Sequence, residues 1–334
     1  MSGKLVSVIV RALNEEKWLG EALAACKSQI LGEGRQIELI LVDSGSVDRT
    51  IPIARDHGCR IVHIKKEEFT FGRSLNVGCE AAHGDVIVFI SAHCIPSGPY
   101  WMESLIQPIV QGLCDYTYGR QVGHETSRFS EKQVFAHYFG EASRLPQQGF
   151  FCNNANSALR AETWRKFRFD EAVTGLEDMV LAKTIVNAGG RIGYVAEAEV
   201  AHIHEETLKQ THRRYYREAL TMRSIMPEVH FNLWDMVSCF SAGVTHDLGI
   251  AARNKVLLKE AGGIFGFRFN QYWGTYRGHN EHRVLSQAQK VSYYYPQSSK
   301  KKAKVAHALS KKGVGVENGA AWSPIPAGAE LTRD

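Results

Sequence analysis

Apolar runs and amphipathic stretches alternate along the first third of the chain. Leu5 to Val10 is an apolar run and predicts a buried strand. Glu15 to Ile30 puts Trp18, Leu19, Ala22 and Leu23 on one face and predicts a helix. Ile37 to Val42 predicts a second strand that ends at Asp43. Ser46 to Thr50 opens a second helix, with Ser46 as its N-cap and Pro52 tolerated near its first turn. A strand over Arg60 to Ile64, a helix over Arg73 to Ala82 and an apolar strand over Val86 to Ile90 follow. This order predicts an α/β protein, a parallel sheet with helices on both faces. Such sheets bind ligands beyond the carboxyl ends of their strands. That singles out Arg11 to Glu15, Asp43 to Ser46, and Ser91 to Cys94.

The pattern is less regular from Asp115 to Arg160, which is rich in aromatic and amide side chains. Asp178 to Ala188 predicts a helix stopped by Gly189-Gly190. Strand-like pieces at Arg191 to Val195 and near Val200 precede a basic helix over Glu206 to Arg223. Two further helices are expected between Leu233 and Ala261. From Ser298 the Lys, Ala, Gly and Pro content predicts disorder.

Composition narrows the class. With 334 residues, 44% hydrophobic and 22% charged, the chain reads as a soluble globular protein rather than a disordered, collagen-like or coiled-coil one. The net charge of +5 owes much to Lys300, Lys301, Lys302 and Lys304, and does not indicate nucleic acid. It fits a phosphate-bearing substrate and an anionic membrane face equally. Seven cysteines without a CxxC pair suggest neither a disulfide scaffold nor a zinc module, and a reducing cytosol is expected. No signal peptide is visible, and no run reaches the roughly 20 apolar residues of a membrane helix.

Five groups of residues offer chemistry, each beside a plainer reading. Asp43 could hold a base or ribose, or cap its own Ser-Gly-Ser turn. His93, in Ser91-Ala92-His93, is a metal-ligand type that is more often structural when alone. Glu177-Asp178 opens a helix and suits a cap or a general base. His202 and His204 alternate on a strand, so both could reach one metal or line a polar face. His212, Arg213, Arg214 and Arg217 could bind a diphosphate or form a solvated helix face. No Walker loop, GxGxxG, HExxH or GxSxG motif occurs.

Taken in order, these pieces resemble the family 2 glycosyltransferases of the GT-A fold, in their rhamnosyltransferase-like branch. Val8 to Glu16 is similar to the family's opening strand and Asn-Glu-Glu loop, and Leu41 to Thr50 to its D-[DS]-G-S-x-D-x-T motif. Phe69 to Gly78 with Gly84-Asp85, Gly175 to Asp178 with Ala188 to Gly190, and His202-Ile203-His204 complete the match over about residues 5–225. The resemblance implies a mostly parallel central sheet with helices on both faces, a catalytic domain over 1–225, a helical extension over 226–297 and a basic tail over 298–334. It implies inverting transfer of a sugar from a nucleotide-diphosphate donor to a hydroxyl of a carbohydrate or lipid-linked acceptor, in surface polysaccharide or glycolipid assembly. Asp178 would be the base and Glu177 would orient it or touch acceptor; Asp43, Arg11, Glu15, Arg73, Asn76 and Ser91 would border the donor.

The chain departs from the family at its metal motif. The usual D-x-D reads Ser91-Ala92-His93 here. His93 with His202 or His204 would then bind Mn²⁺ or Mg²⁺ through the donor diphosphate, weakly without donor and with Mn²⁺ preferred. Gly149 to Ser157 sits where the family builds its acceptor wall. Trp164, Phe135, Tyr138 and Phe139 would stack on sugars or fill core, with core the default. Phe267 to Gly278 fits a membrane surface, packing on the catalytic domain, or a subunit contact. The expected location is cytoplasmic, with a peripheral membrane contact on that face left open and oligomeric state unread. A nucleotidyltransferase and a non-catalytic nucleotide-sugar-binding protein are the alternatives.

Overall fold

Alternation along the first strand sets the layers of the molecule. In the computed structural model, which describes residues 5–282, β1 (Leu5–Ala12) turns Val6, Val8, Val10 and Ala12 toward one core and Ile9 toward the other. Arg11 shares its parity with Ile9, so strand geometry sends it to that second side. One core lies under α1 (Leu19–Lys27), α2 (Thr50–Asp56) and α4 (Trp101–Val110). The other lies under α3 (Phe71–Glu80), α6 (Ala161–Phe167) and α7 (Glu177–Asn187).

The remaining strands are β2 (Gln36–Asp43), β3 (Arg60–His63), β4 (Val86–Ser91), β5 (Cys94–Pro96), β6 (Tyr116–Gly123), β7 (Asn156–Arg160) and β8 (Ile192–His202). They form one sheet in the order β3-β2-β1-β4-β7-β6-β8-β5. The pairs β1–β2, β1–β4, β2–β3 and β6–β8 are parallel. The pairs β4–β7, β6–β7 and β5–β8 are antiparallel, so the sheet is mixed. The four-stranded parallel part β3-β2-β1-β4 reverses its winding between β1 and β4, where Arg11 lies opposite Ser91. A crevice at such a reversal is a ligand position.

Several expected boundaries move. The first helix begins at Leu19, because residues 13–18 form a loop. Ser46 does not cap α2; Arg49 precedes it, and the Ser46 hydroxyl accepts the Asn14 amide at 2.9 Å. The two strand pieces after Gly190 are one strand, β8, whose pairing with β6 shifts register between Gly119 and Gln121. Asn156 fills that irregularity by donating from Nδ2 to Ala198 and Arg120 carbonyls.

Three helices close the described chain. α8 (Leu208–Ile225) opens with a Thr207–Gln210 capping box. Of the two helices expected between Leu233 and Ala261, α9 runs Leu233–Arg253, and α10 begins at Leu257 and continues to His279. α10 packs on both α8 and α9. Its glycines allow the approach: a Cβ on Gly274 would stand 2.5 Å from the His212 carbonyl oxygen, and one on Gly278 2.2 Å from that of Tyr216. Phe267 is fully buried and Arg268 is paired with Asp247 at 2.8 Å, so this part of the aromatic, basic segment packs on the protein. α5 (Phe129–Tyr138) lies beside α10. The expected disordered tail lies outside the described residues.

All seven cysteines are unpaired, as expected from their spacing. No described helix is long and apolar enough to cross a membrane.

Gly72 gives a test of the packing between α3 and the segment before α7. A Cβ there would sit 2.1 Å from the Asp170 carbonyl oxygen, which is backbone and cannot swing away. Gly72→Ala should lower unfolding stability by about 2 kcal/mol, read as a drop in the urea midpoint at unchanged slope.

Candidate active site

The site is built on the loop after β1. Asn14 takes a left-handed conformation, φ 58°, and its Oδ1 accepts the Val47 amide at 2.9 Å. The Glu15 amide donates to the Thr50 hydroxyl at 2.8 Å, and the Glu16 amide to Asp48 at 3.1 Å. Glu16 in turn accepts the Arg49 amide at 3.0 Å. Ser46, Asp48 and Thr50 therefore hold one loop against another. Asp43 is buried, and its carboxylate accepts the amides of Gly45 at 3.0 Å and Ser46 at 3.2 Å.

The end of β1 and this braced loop reach in two directions. Arg11 Nη1 lies 3.1 Å from Glu177 Oε1 and donates to the Phe71 carbonyl at 3.3 Å. Glu15 Oε1 lies 3.2 Å from His93 Nδ1. The end of β1 and the loop after it thus touch both the carboxylate pair of α7 and, through His93, the histidine cluster.

The histidines form a cluster. Ligand atoms of His93, His202 and His204 all lie within 4.8 Å of one another, so the site includes both members of the H-x-H pair. Each ring has an orienting partner at Nδ1: Glu15 for His93, Gln121 at 2.7 Å for His202, and Glu131 at 2.7 Å for His204. His202 Nε2 is buried without a hydrogen-bond partner. Burial, with the neighbouring His204 and His93, holds the His202 imidazole well below its usual pKa and therefore neutral. Burial opposes charge on His93, but its bond to Glu15 and the negative charges of Glu15 and Glu206 together outweigh this and raise its pKa. A neutral, buried, unpaired imidazole nitrogen beside two more imidazoles is a donor set that suits a divalent transition metal.

The carboxylate pair is equally enclosed. Glu177 and Asp178 are buried at the start of α7, preceded by Leu176 in a left-handed conformation, φ 54°. Asp178 accepts the Asn154 amide on Oδ2 and the Met179 amide on Oδ1, each at 2.8 Å. Burial, reinforced by repulsion from Glu177, pushes the Asp178 carboxyl up to about 7; the two amides and Arg11 oppose this. Asn154 comes from the expected acceptor wall, which here touches Asp178.

Other expected residues divide. Ser91 donates its amide to the Ala155 carbonyl at 3.2 Å, at the foot of the crevice. Arg73 pairs with Glu171 at 3.4 Å and Glu68 at 3.6 Å on the rim. Asn76 is a correction. It is buried, its Nδ2 donates to Phe169 O and Glu171, and its Oδ1 accepts from Trp164 Nε1 and the Phe169 amide. No valence remains for a donor. Trp164, Phe135 and Phe139 are core, while Tyr138 is half exposed and stacks on Phe151. Arg214 pairs with Glu131 at 2.7 Å and Glu206 at 3.0 Å, and His212 faces α10.

Three contributors were not legible beforehand. Gln121 and Glu131 orient histidines from β6 and α5, in the stretch without motif signal. Phe71 lies under the guanidinium groups of Arg11, at 5.4 Å, and Arg217, at 4.6 Å.

Residues 7–167 match the family model for glycosyl transferase family 2. That stretch is a glycosyl transferase family 2 domain. The chain is an enzyme that uses a nucleotide-sugar donor. It is 26% identical over 228 residues to the O-antigen chain rhamnosyltransferase RfbN of Salmonella typhimurium, covering 63% of this chain and 70% of that one. It is 27% identical over 192 residues to the O-antigen chain rhamnosyltransferase WbaN of Salmonella anatum, covering 54% and 60%. Its fold is that of the glucosyl-3-phosphoglycerate synthase of Mycobacterium tuberculosis, with TM-score 0.50 and 23% identity over 67% of this chain and 80% of that one. The GT-A expectation is thereby met.

Asn76→Ala should lower stability by roughly 2–3 kcal/mol, because it strands several buried partners. In the same variant, assayed well below its melting temperature, the KM for donor should stay within twofold. A stable protein with a large rise in KM would return Asn76 to the donor site.

Proposed function

We propose that this glycosyltransferase inverts the anomeric centre and extends a surface polysaccharide or glycolipid, with a deoxyhexose such as rhamnose as the transferred sugar. The observation that carries the reading is the end of β1 and its braced loop, where Arg11 of the strand and Glu15 of the loop tie the buried acid pair to the histidine cluster. The similarity to O-antigen rhamnosyltransferases supports the sugar and the acceptor class. The undecaprenyl-phosphate 4-deoxy-4-formamido-L-arabinose transferase of Pseudomonas aeruginosa, 29% identical over 113 residues, supports a lipid-linked acceptor.

Asp178 is the base in this reading. A carboxylate with a pKa near 7 retains proton affinity at neutral pH and is still largely ionised just above it. The amides of Asn154 and Met179 hold both of its oxygens, so its orientation does not depend on the acceptor. Glu177 raises the basicity of Asp178 by its charge, and Arg11 limits that effect by pairing with Glu177. Asp43 shapes the nucleoside end by fixing the Gly45-Ser46 turn. The Arg11 and Arg217 guanidiniums around Phe71 supply positive charge beside the carboxylates.

His93, His202 and His204 would hold a divalent metal, Mn²⁺ in preference to Mg²⁺, since imidazole favours the transition metal. The mycobacterial synthase has been crystallised with Mn²⁺ and with Mg²⁺. When bound, the ion would act as a Lewis acid that offsets charge on the leaving diphosphate.

Four outcomes are expected. Asp178→Asn should reduce transfer by about 10³-fold or more with donor affinity unchanged. In the wild type, kcat/KM should fall as pH drops through about 7, where Asp178 takes up its proton. Glu177→Gln should shift that acidic limb to lower pH, because it removes a like charge. Retained turnover in Asp178→Asn would remove it from the role of base. Glu131→Gln should weaken Mn²⁺ binding about tenfold, measured by electron paramagnetic resonance titration of free Mn²⁺. Unchanged affinity in that variant would sink the orienting role.

A further inference from the structure

The turn between α9 and α10 carries a concentration of apolar and basic groups that catalysis does not use. Leu258 is 98% exposed and Leu257 37% exposed. Around them stand Arg253, Lys255 and Lys259, all exposed. The one carboxylate of the turn, Glu260, is mostly covered and pairs with Lys259 at 3.7 Å. From Leu258 a helical stripe continues through Gly262, Phe265 and Phe269, at spacings of four, three and four residues, with no charge along it. Phe265 and Phe269 are each about half exposed and meet Phe240 of α9.

The position of this turn is informative. Gly266 of α10 lies against Leu208, the first residue of α8. α10 and α8 run in the same direction, as Gly274 meets His212 and Gly278 meets Tyr216. Leu258 therefore projects about 12 Å beyond the start of α8, at a rise of 1.5 Å per residue. That end of α8 follows directly on Glu206 and His204 of the site.

We propose that the α9–α10 turn docks on an anionic lipid surface, with Leu257 and Leu258 entering the interface and Arg253, Lys255 and Lys259 meeting lipid phosphates. Charge complementarity favours this occupant. A second copy placed on the same face would bring two basic rims together with only the already paired Glu260 to offset them. Exposed leucines ringed by cations match a bilayer interface, which is apolar inside and anionic outside. The charge-free stripe of α10 can then lie along the membrane. The docked orientation brings the mouth of the site toward the lipid face, which deepens the reading of a lipid-linked acceptor.

The full chain should be sedimented with vesicles of phosphatidylcholine alone and of phosphatidylcholine with phosphatidylglycerol. Binding to the anionic vesicles, weakened by salt, is the expected result. Leu258→Glu should weaken it about tenfold or more. Lys255→Glu with Lys259→Glu should also weaken it, by at least fivefold for each cation lost. Both variants should keep wild-type donor hydrolysis, which shows that the site is intact. Absence of binding to either vesicle, or equal binding by Leu258→Glu, would overturn the proposal. So would a light-scattering mass of a dimer that Leu258→Glu converts to monomer, since that assigns the face to a second copy. Vesicle binding without transfer to any lipid-linked acceptor would leave the docking surface standing and defeat the acceptor reading.

Discussion

The site depends on how one loop satisfies its own backbone. Residues 13–18 leave the sheet at β1 and have no ladder to pair with. Their amides bond instead to the side chains of Ser46, Thr50 and Asp48 on the neighbouring loop, while Asn14 and Glu16 return the bonds. These reciprocal bonds meet the loop's backbone demand and hold the two loops as a unit. Arg11, at the end of β1, and Glu15, in the loop, are aimed at different targets. The carboxylates of α7, His93 after β4, and His202 and His204 at and after the end of β8 come from segments far apart in sequence, and the end of β1 with its loop is what they share.

Around that frame the protein buries charge in connected groups. His204, Glu131, Arg214 and Glu206 form a chain of contacts between the β8 end, α5 and α8. An isolated buried charge would be expensive, whereas a linked series meets its hydrogen-bonding demand internally. The consequence is positional: His204 cannot rotate without breaking the bond to Glu131. Glu177 is likewise held by Arg11, leaving Asp178 as the member of the pair whose proton affinity burial raises. Helices α8 and α10 close one side, their backbones brought together at Gly274 and Gly278.

Much of the fold was readable because its first half is regular. Strands β1 to β4 are apolar runs bounded by polar loops, and their alternation leaves few topologies open. The candidate site was readable where a residue type is unusual for its place, as with Glu177-Asp178 at a helix start and two histidines on one strand. Asn76 and Ser46 show the limit. Both lie in motifs, and both are polar residues whose hydrogen bonds are spent inside the protein. A sequence lists donors and acceptors but not which of them are already engaged.

What the sequence by itself determined is the set of local elements, the layered α/β architecture, and a short list of residues able to do acid–base or metal chemistry. Those follow from periodicity and side-chain type, which are local properties. Only the tertiary structure decided which of those residues meet. It placed His93, His202 and His204 together, gave each an orienting partner, enclosed Asp178 beside Glu177, and left Leu258 in the open. The physical reason is that burial and hydrogen-bond pairing depend on contacts between distant segments, and these set proton affinity, ring orientation and exposure.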